Sequence, residues 1–535
     1  MGVFRFFRHL LNTYKGFYRT GNSNQGFRNP VDILLLDCNA IFHPACREIY
    51  FPEMKSLLHR PSNETPEVLE KKAFDNIIKH IKRIIDVCPP KRVLYLAVDG
   101  VAGMCKQSQQ RKRRYRAARD RASNAFDTCN LTTGTPFMQR LMDHISAWIE
   151  QYKTQTNFQI VFNDMHTPGE GEHKLIRFLD MRFKNPKLEK FADKTTYCIY
   201  SPDADLIMLC MCLSKGKGYI LRENIYDDVH AQWIYVNCEN LKNLVSQSLW
   251  WSQEANVTFY ADKVVRDYVL FLMLVGNDFL PNLYCLEIGN EGIETLEKCY
   301  KVAACTTNYL VNDANSLEKE SFVHLFEMLS SYESNLILRK YHKGCKFPDS
   351  LLASYIVHSK LEETGQTVQT LDYQSLRAEY YLRKFKDEFE WSDESFNANV
   401  KTICKAYIRG LIFVIKYYCN SIPTFDWYYE YHYAPLMIDI FATAKEMNTK
   451  EWNDLHEWNY KPALSLEQSL LGVIPPSSAA VCTDKIRDIL IKKKNDKLFI
   501  EDFIVDVEGK QQEYEGVCLL PNIPYTSLKR MVRSS

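Results

Sequence analysis

Two carboxylates stand close together in HTPGEGEHKLIRFLD (166 to 180), where Gly171 alone separates Glu170 from Glu172. Gly169 and the proline before it favour a tight turn that lets another group approach the backbone. Like charges on such a turn repel each other unless a cation neutralises them. The motif therefore indicates a site for a hard metal ion, because such ions prefer carboxylate oxygens as ligands.

Further acidic residues follow apolar runs elsewhere in the chain, in DILLLD, RVLYLAVD, TYCIYSPDAD and VGNDFL. The complete set is Asp37, Asp99, Glu170, Glu172, Asp203, Asp205 and Asp278. A single aspartate after a strand is usually a turn former or a helix cap. Seven acids that converge favour Mg²⁺ or Mn²⁺, and they suit two ions roughly 4 Å apart that cleave a phosphodiester.

A basic segment, GVAGMCKQSQQRKRRYRAARDRAS, follows Asp99 directly. Its residues Lys106, Gln110, Arg113 and Arg114 are spaced i, i+4, i+7 and i+8, which places them on one face of a helix. Cations and an amide on one face can hold a phosphate group. A solvated basic helix or a nuclear-localisation stretch explains RKRRYR equally well. The nearby acids favour phosphate binding.

The elements that must position these residues are buried strands. Continuous apolar runs separated by helical patterns are typical of parallel strands; DILLLD, RVLYLAVD and TYCIYSPDAD contain three such runs, and NFQIVFND (157 to 164) adds a fourth. In open α/β sheets, ligands bind beyond the carboxyl ends of the strands. The sequence therefore predicts an α/β fold with a mainly parallel sheet flanked by helices, and a second, mostly helical and aromatic-rich region packed against it.

Global composition narrows the class of protein. The 535 residues are 46% hydrophobic and carry a net charge of +1, so any affinity for nucleic acid must come from a local patch. The 17 cysteines form no CxxC pair, and charged residues interrupt the N-terminal apolar stretch, which indicates a reducing compartment and no secretory signal. The apolar run YVLFLMLVG is shorter than the roughly 20 residues of a spanning helix. We expect no membrane segment.

The motifs together resemble those of the Xrn-type 5′→3′ exoribonucleases. The matching segments, in the same order and at similar spacing, are LLLDCNAIFH, LAVDGVAGMCKQSQQRKRRYR, TPGEGEHKLIRFL, YSPDADLIML and VGNDFLPNL. The opening MGVFRFFRHL and the segment 406 to 440 are also similar to that family. The resemblance implies processive hydrolysis of 5′-monophosphorylated single-stranded RNA to mononucleotides by two metal ions. The seven acids would bind the metals, and the basic helix face would bind the 5′-phosphate.

The same resemblance implies that bases stack on His43 and on aromatics of the second region. Trp427 matches one family tryptophan, whereas Phe425 stands where the family usually has another. A histidine or an aromatic residue of this kind is otherwise more often part of a core. Gly103 and Met104 depart from the proline and arginine usual in the family, which predicts a more flexible loop and one missing basic contact.

The resemblance also implies how the chain is organised. We expect residues 1–345 to form the α/β nuclease domain, and residues 346–535 to form the second conserved region that completes the active-site pocket. The polar stretch 358 to 374 is predicted to be a linker or mobile loop. The chain is expected to be a compact catalytic-core member of the family, monomeric and intracellular, with the cytoplasm favoured over the nucleus. Partners in a decapping machinery are left open.

Two other classes of function are compatible with parts of this pattern. A flap-endonuclease-like DNA nuclease shares an acidic two-metal sheet, although no Gly-rich duplex-binding hairpin follows Asp278. A catalytically inactive RNA-binding scaffold is the other alternative. The intact acids argue against a scaffold, because a binding protein gains nothing from charges that it must neutralise. Metal-dependent hydrolysis of single-stranded RNA separates the three.

Overall fold

The computed structural model describes residues 5–51, 64–121, 126–213, 215–225, 232–249, 258–288, 291–360, 367–419 and 421–533. The chain divides into two compact units. The sheet unit comprises Leu11–Leu244, Lys461–Glu501 and Asn522–Ser535. The helical unit comprises Met1–Leu10, Val245–Tyr460 and Asp502–Pro521. The division at residue 345, drawn between conserved regions of the sequence, stays a prediction.

The β-strands of the described residues are β1 Tyr18–Gly21, β2 Val31–Asp37, β3 Pro90–Ala97, β4 Gln159–Asn163, β5 Thr196–Tyr200, β6 Lys217–Glu223, β7 Trp233–Asn237, β8 Ile356–Lys360, β9 Thr367–Leu371, β10 Val505–Asp506 and β11 Val517–Cys518. The first seven form one sheet in the order β1-β7-β6-β5-β2-β3-β4. Strands β4, β3, β2, β5 and β6 are parallel to one another, and β7 and β1 are antiparallel additions at one edge.

The α-helices of the described residues are α1 Phe6–Thr13, α2 Cys38–Tyr50, α3 Pro66–Val87, α4 Met104–Arg119, α5 Pro136–Tyr152, α6 Gly171–Phe183, α7 Asp205–Cys212, α8 Cys238–Ser248, α9 Ala261–Leu272, α10 Gly292–Thr306, α11 Lys319–Lys343, α12 Ser350–Ser354, α13 Tyr373–Lys384, α14 Phe396–Cys419, α15 Met437–Glu446, α16 Thr449–Asp454, α17 Leu466–Val473, α18 Asp484–Lys493 and α19 Tyr525–Arg533. None of them is long and apolar enough to cross a membrane.

The four apolar runs predicted to be parallel strands are β2, β3, β4 and β5, and they are neighbours in the sheet. The predicted fold class is confirmed. Asp37 pairs in register with Ala97, which itself pairs with Asn163. The carboxyl ends of these strands therefore lie side by side, and the residues that follow each strand lie at the same edge of the sheet.

One face of the sheet packs on helices through alternate residues of its strands. Leu34 and Leu36 of β2 lie in a buried cluster with Ile77 and Ile81 of α3 and Leu141 of α5. Side chains at i and i+2 of a strand share a face, as do those at i and i+4 of a helix. This core fixes the strands against the helices, and it therefore positions the residues that follow the strand ends.

The helical unit contains the long helix α11 and the aromatic-rich helices α13 and α14. The linker prediction for 358 to 374 was wrong. Strands β8 and β9 pair as an antiparallel ladder, and α13 begins at Tyr373. Main-chain hydrogen bonds hold such a pair without an apolar pattern, so polar composition misled the prediction. Residues 361 to 366 of that stretch lie outside the described residues.

Candidate active site

Strand ends place most of the predicted acids of the sheet unit. Strand β2 ends at Asp37, β3 ends two residues before Asp99, and β5 ends shortly before Asp203 and Asp205. Asp205 begins α7 and is only 2% exposed. Apolar strands stop where the chain turns at the sheet edge, so the polar residues that follow them collect there.

The turn that carries the two glutamates closes onto the same edge. The backbone N–H of Gly171 donates to Oδ1 of Asp99 at 2.7 Å. A Cβ at Gly171 would lie 3.3 Å from Oδ1 of both Asp37 and Asp99, which leaves no comfortable space for any larger residue. Gly169 takes a φ of +105°, a conformation that favours glycine. The glycines of the motif thus bring Glu170 and Glu172 to the strand ends.

A chain of hydrogen bonds links the remaining aspartates. Ser201 Oγ donates to Oδ2 of Asp37 at 3.2 Å, and the N–H of Asp203 donates to the same Oγ at 3.1 Å. The N–H of Asp205 donates to Oδ1 of Asp203 at 3.2 Å. These contacts fix the loop after β5 against the end of β2. We call the six residues gathered here the acidic cluster: Asp37, Asp99, Glu170, Glu172, Asp203 and Asp205.

Burial and mutual repulsion make ionisation of the acidic cluster unfavourable. Burial, together with the charges of Asp99 and Asp203, raises the pKa of Asp37 to about 7. Burial and Glu170 raise the pKa of Asp99. Burial also raises the pKa of Glu172 well above its ordinary value, although the positive charge of Lys106 opposes the shift. Such a cluster needs cations to hold all its charges at neutral pH.

One cation already lies against the cluster. Lys106 of α4 places its Nζ 2.6 Å from Oε2 of Glu170, and the two residues are 9% and 4% exposed. Gln110 and Arg114 on the same helix are half-buried, and Arg113 is exposed. Arg114 donates from Nε to Oγ1 of Thr132 at 2.7 Å. We call Lys106, Gln110, Arg113 and Arg114 the basic face.

His43 on α2 lies near the basic face. Its ring is solvent-exposed, yet desolvation by the surrounding protein lowers its pKa to about 4, helped by the charges of Arg113, Arg114 and Arg47. The imidazole is therefore neutral at physiological pH. A neutral aromatic ring beside a cationic surface is suited to stacking on a base.

The other predicted site residues belong to the helical unit. Asp278 is half-buried in the loop after α9. Trp427 stacks on Phe413 with ring centroids 4.2 Å apart, and Phe425 is buried with its ring perpendicular to that of Tyr460. The proposed roles of Asp278, Trp427 and Phe425 stay predictions. Gly103 caps α4 in an ordinary extended conformation, and Met104 beside it is buried.

Two supporting residues, Lys174 and Asn39, were not predicted from the sequence. Lys174 is buried, and its Nζ donates to the carbonyls of Val98 and Asp164 at 2.7 Å each. It thereby ties the ends of β3 and β4 together beside Asp99. The N–H of Asp99 donates to Oδ1 of Asn39 at 2.8 Å. Only the position of Lys174 two residues after Glu172 signals its role, and an isolated lysine in a helical pattern is usually solvated.

The acidic cluster fits divalent metal ions by its chemistry. Its donors are all carboxylate oxygens, which is the set that Mg²⁺ and Mn²⁺ prefer, and burial and mutual repulsion raise the pKa of Asp37, Asp99 and Glu172. Within the described ranges, however, no three His, Cys, Asp or Glu side chains are arranged as a metal site. The ammonium of Lys106 occupies one side of Glu170 instead.

Comparison with protein families identifies the chain. The model described as "XRN 5'-3' exonuclease N-terminus" matches residues 1–224, and "Xrn1 helical domain" matches residues 258–374 and 357–534. The chain belongs to the XRN 5′-3′ exonuclease family. The resemblance inferred from the motifs is thus confirmed.

Curated members of the XRN family align along nearly the whole chain. Human "5'-3' exoribonuclease 1" is 26% identical over 98% of this chain and 33% of its own length. "5'-3' exoribonuclease 2" of Debaryomyces hansenii is 24% identical over 92% of this chain and 64% of its own length. The chain therefore spans about a third of the length of the human relative and somewhat under two thirds of the length of the Debaryomyces hansenii relative.

A solved structure with some similarity is the catalytic core of Rad2 in complex with a DNA substrate. The alignment has a TM-score of 0.35 and 12% sequence identity, and it covers 74% of this chain and 98% of that chain. Similarity at this level supports no conclusion about substrate.

Proposed function

We propose that this protein is a processive 5′→3′ exoribonuclease that degrades 5′-monophosphorylated single-stranded RNA to mononucleotides by two-metal-ion hydrolysis. The observation that carries the proposal is the ion pair between Lys106 and Glu170, because it joins the basic face to the acidic cluster within one unit. A terminal phosphate held on α4 would lie beside the carboxylates. The names of the curated relatives, 5′-3′ exoribonucleases, favour the same activity.

The acidic cluster would hold the metal ions. Mg²⁺ or Mn²⁺, bound as a pair, supplies an activated water and stabilisation of the leaving oxygen. The chain's own contribution is to fix the carboxylates before substrate arrives. Ser201 orients Asp37, and Gly171 orients Asp99, each by a hydrogen bond to one carboxylate oxygen. Preorganised ligands of this kind need little rearrangement during the reaction.

The basic face would select the 5′ end. A terminal monophosphate carries close to two negative charges, and Lys106, Arg113 and Arg114 can neutralise them while Gln110 adds a neutral donor. A pocket shaped around one phosphate group leaves no space for a cap or a triphosphate. His43 would stack on a leading base as a neutral ring. Binding of the end and of the first bases together would advance the strand by one nucleotide after each cut.

The proposal is tested with RNAs of one sequence that differ only at the 5′ end. Monophosphorylated RNA should be degraded fastest, and triphosphorylated, capped and 5′-hydroxyl RNAs should resist. Equal rates on all four would overturn the proposed pocket. Branched DNA substrates test the flap-endonuclease alternative. That alternative predicts cleavage at the branch and no release of mononucleotides from the end.

A second test separates an enzyme from an inactive RNA-binding scaffold. Asp205→Asn should lower turnover by orders of magnitude and leave RNA affinity nearly unchanged, because it removes charge from the acidic cluster and not from the basic face. Asp180→Asn is the matched control, since its side chain is 45% exposed on α6. Absence of metal-dependent hydrolysis in the unaltered protein would favour the scaffold.

A further inference from the structure

Helix α4 has a second polar face that does not belong to the basic face. Gln107, Arg111 and Tyr115 are spaced i, i+4 and i+8, and they are 3%, 2% and 1% exposed. This buried face packs against segments that lie several hundred residues later in the chain but belong to the same sheet unit. The central residue is Arg111.

Arg111 holds two separate parts of that later segment. Its Nη1 donates to the carbonyl of Gly472, in α17, at 3.1 Å, and its Nη2 donates to the carbonyl of Leu498. The guanidinium carbon lies 4.2 Å from the ring centre of Tyr115 and 5.7 Å from that of Phe499. Two donors of the planar group thus meet backbone carbonyls, its buried Nε has no hydrogen-bond partner among the described residues, and both rings lie near the charge.

Other contacts bring this segment and the segment 522–533 close to α4. Ser108 Oγ donates to Oδ1 of Asn522 at 2.6 Å. A Cβ at Gly472 would lie 3.4 Å from Oε1 of Gln107 and 3.0 Å from Cδ1 of Leu528. Glycine at 472 therefore permits the close approach of α17 that brings its carbonyl to Arg111.

A buried arginine is an expensive way to fill this space. Within the described part of the chain no carboxylate forms an ion pair with Arg111, and burial lowers its pKa. Burying a charge without an ionic partner costs stability that a methionine or leucine of similar volume avoids. The guanidinium adds directional contacts. Its two hydrogen bonds to the carbonyls of Gly472 and Leu498 fix both the rotation of α4 about its axis and its position along that axis.

We propose that Arg111 is a positioning residue for the 5′-phosphate pocket. It sets the rotation of α4, and a helix that turns about its axis moves Lys106, Gln110, Arg113 and Arg114 together. The segments 461–501 and 522–533 then hold α4 in the orientation in which its basic face selects the substrate. This inference rests on the proposed function, in which the basic face binds a terminal phosphate.

The test measures binding, without divalent ions, of two fluorescent RNAs that differ only in a 5′-monophosphate or a 5′-hydroxyl. Arg111→Met should reduce the preference for the monophosphate about tenfold, the loss expected when charge-assisted hydrogen bonds to the phosphate are misaligned. Affinity for the 5′-hydroxyl RNA should hardly change. With divalent ions present, KM for the monophosphorylated RNA should rise while kcat is retained. Arg119→Met, on the same helix and 37% exposed, is the control.

Gly472→Ala tests the same contact without changing the arginine. It therefore provides a second test if Arg111→Met does not fold. Alanine strengthens α17 as a helix, so an effect must come from crowding of the new methyl group against Leu528 of α19 and Gln107 of α4. It should lower the monophosphate preference in the same direction. If the unaltered protein shows no such preference, the proposed function fails and this inference fails with it. If the preference exists and both variants keep it, only the positioning role of Arg111 is overturned.

Discussion

The backbone N–H of Gly171 donates to Oδ1 of Asp99 at 2.7 Å, and it thereby joins the turn with two glutamates to the end of β3. The absence of a side chain at 171 is part of the same arrangement, because a Cβ there would crowd the Oδ1 atoms of Asp37 and Asp99 at 3.3 Å. Gly171 thus determines how closely the turn with the two glutamates approaches the carboxyl ends of β2 and β3.

Gly171→Ala should therefore impair the site without unfolding the protein. Alanine is the better helix former at the start of α6, so propensity does not destabilise the fold. The added methyl group displaces the carboxylates, and turnover should fall by about one to two powers of ten, since misplacement of reacting groups by an ångström has that effect. Turnover and the free energy of unfolding are measured side by side. A loss of both in proportion would mean that the residue is structural.

Lys106→Met should destabilise the protein when no divalent ions are present. The variant leaves Glu170 buried among other carboxylates, and removal of one partner of a buried pair costs roughly 3 to 5 kcal/mol. Denaturant unfolding measures the change, and Mg²⁺ should restore part of it by binding the folded state. The double variant Lys106→Met/Glu170→Gln should be more stable than the single one. A single variant as stable as the unaltered protein would contradict the ion pair.

The low pKa of His43 predicts how RNA binding depends on pH. The folded protein disfavours protonation of this ring, so the stability gained from the neutral form is present above its ordinary pKa of 6.5 and is lost as pH falls through about 4. Stacking should therefore be constant from pH 5.5 to 8, and His43→Phe should preserve it. Fluorescence titrations across this range provide the check. An inflection near 6.5 that disappears in His43→Phe would show that the ring is protonated in that range.

Lys174→Met should destabilise the carboxyl ends of β3 and β4. The substitution leaves the carbonyls of Val98 and Asp164 without their donor, and each hydrogen bond from a charged group is worth about 1.5 to 3 kcal/mol. We expect roughly 3 kcal/mol less stability together with lower turnover, measured by denaturation and by RNA hydrolysis. Lys184→Met, at the end of the same helix and 74% exposed, should change neither.

The parts of the fold that were predictable from sequence are those with uninterrupted local patterns. Strand β2 is a run of buried aliphatic residues, and its final Asp37 marks both the strand end and the site. Strand β1 has no such pattern, because its residues are half-buried or exposed at the sheet edge and pair with β7 through the main chain. The pair β8 and β9 was missed for the same reason.

The parts of the site that were not predictable depend on contacts between distant segments. Arg111 is one of many cations in RKRRYR, and only the folded chain shows that it is buried against Gly472 and Leu498 while Arg113 is exposed. Helical spacing predicted which residues share a face of α4. It could not predict which face is covered, because that depends on a segment more than 350 positions away.

We propose that hydrolysis starts from a 5′ end and proceeds one nucleotide at a time. The most direct measurement compares a linear, 5′-monophosphorylated single-stranded RNA with a covalently closed circle of the same sequence, both with Mg²⁺. We predict that the linear RNA is converted to mononucleotides while the circle survives intact. Cleavage of the circle at the rate of the linear RNA, or fragments of several nucleotides as first products, would contradict the account.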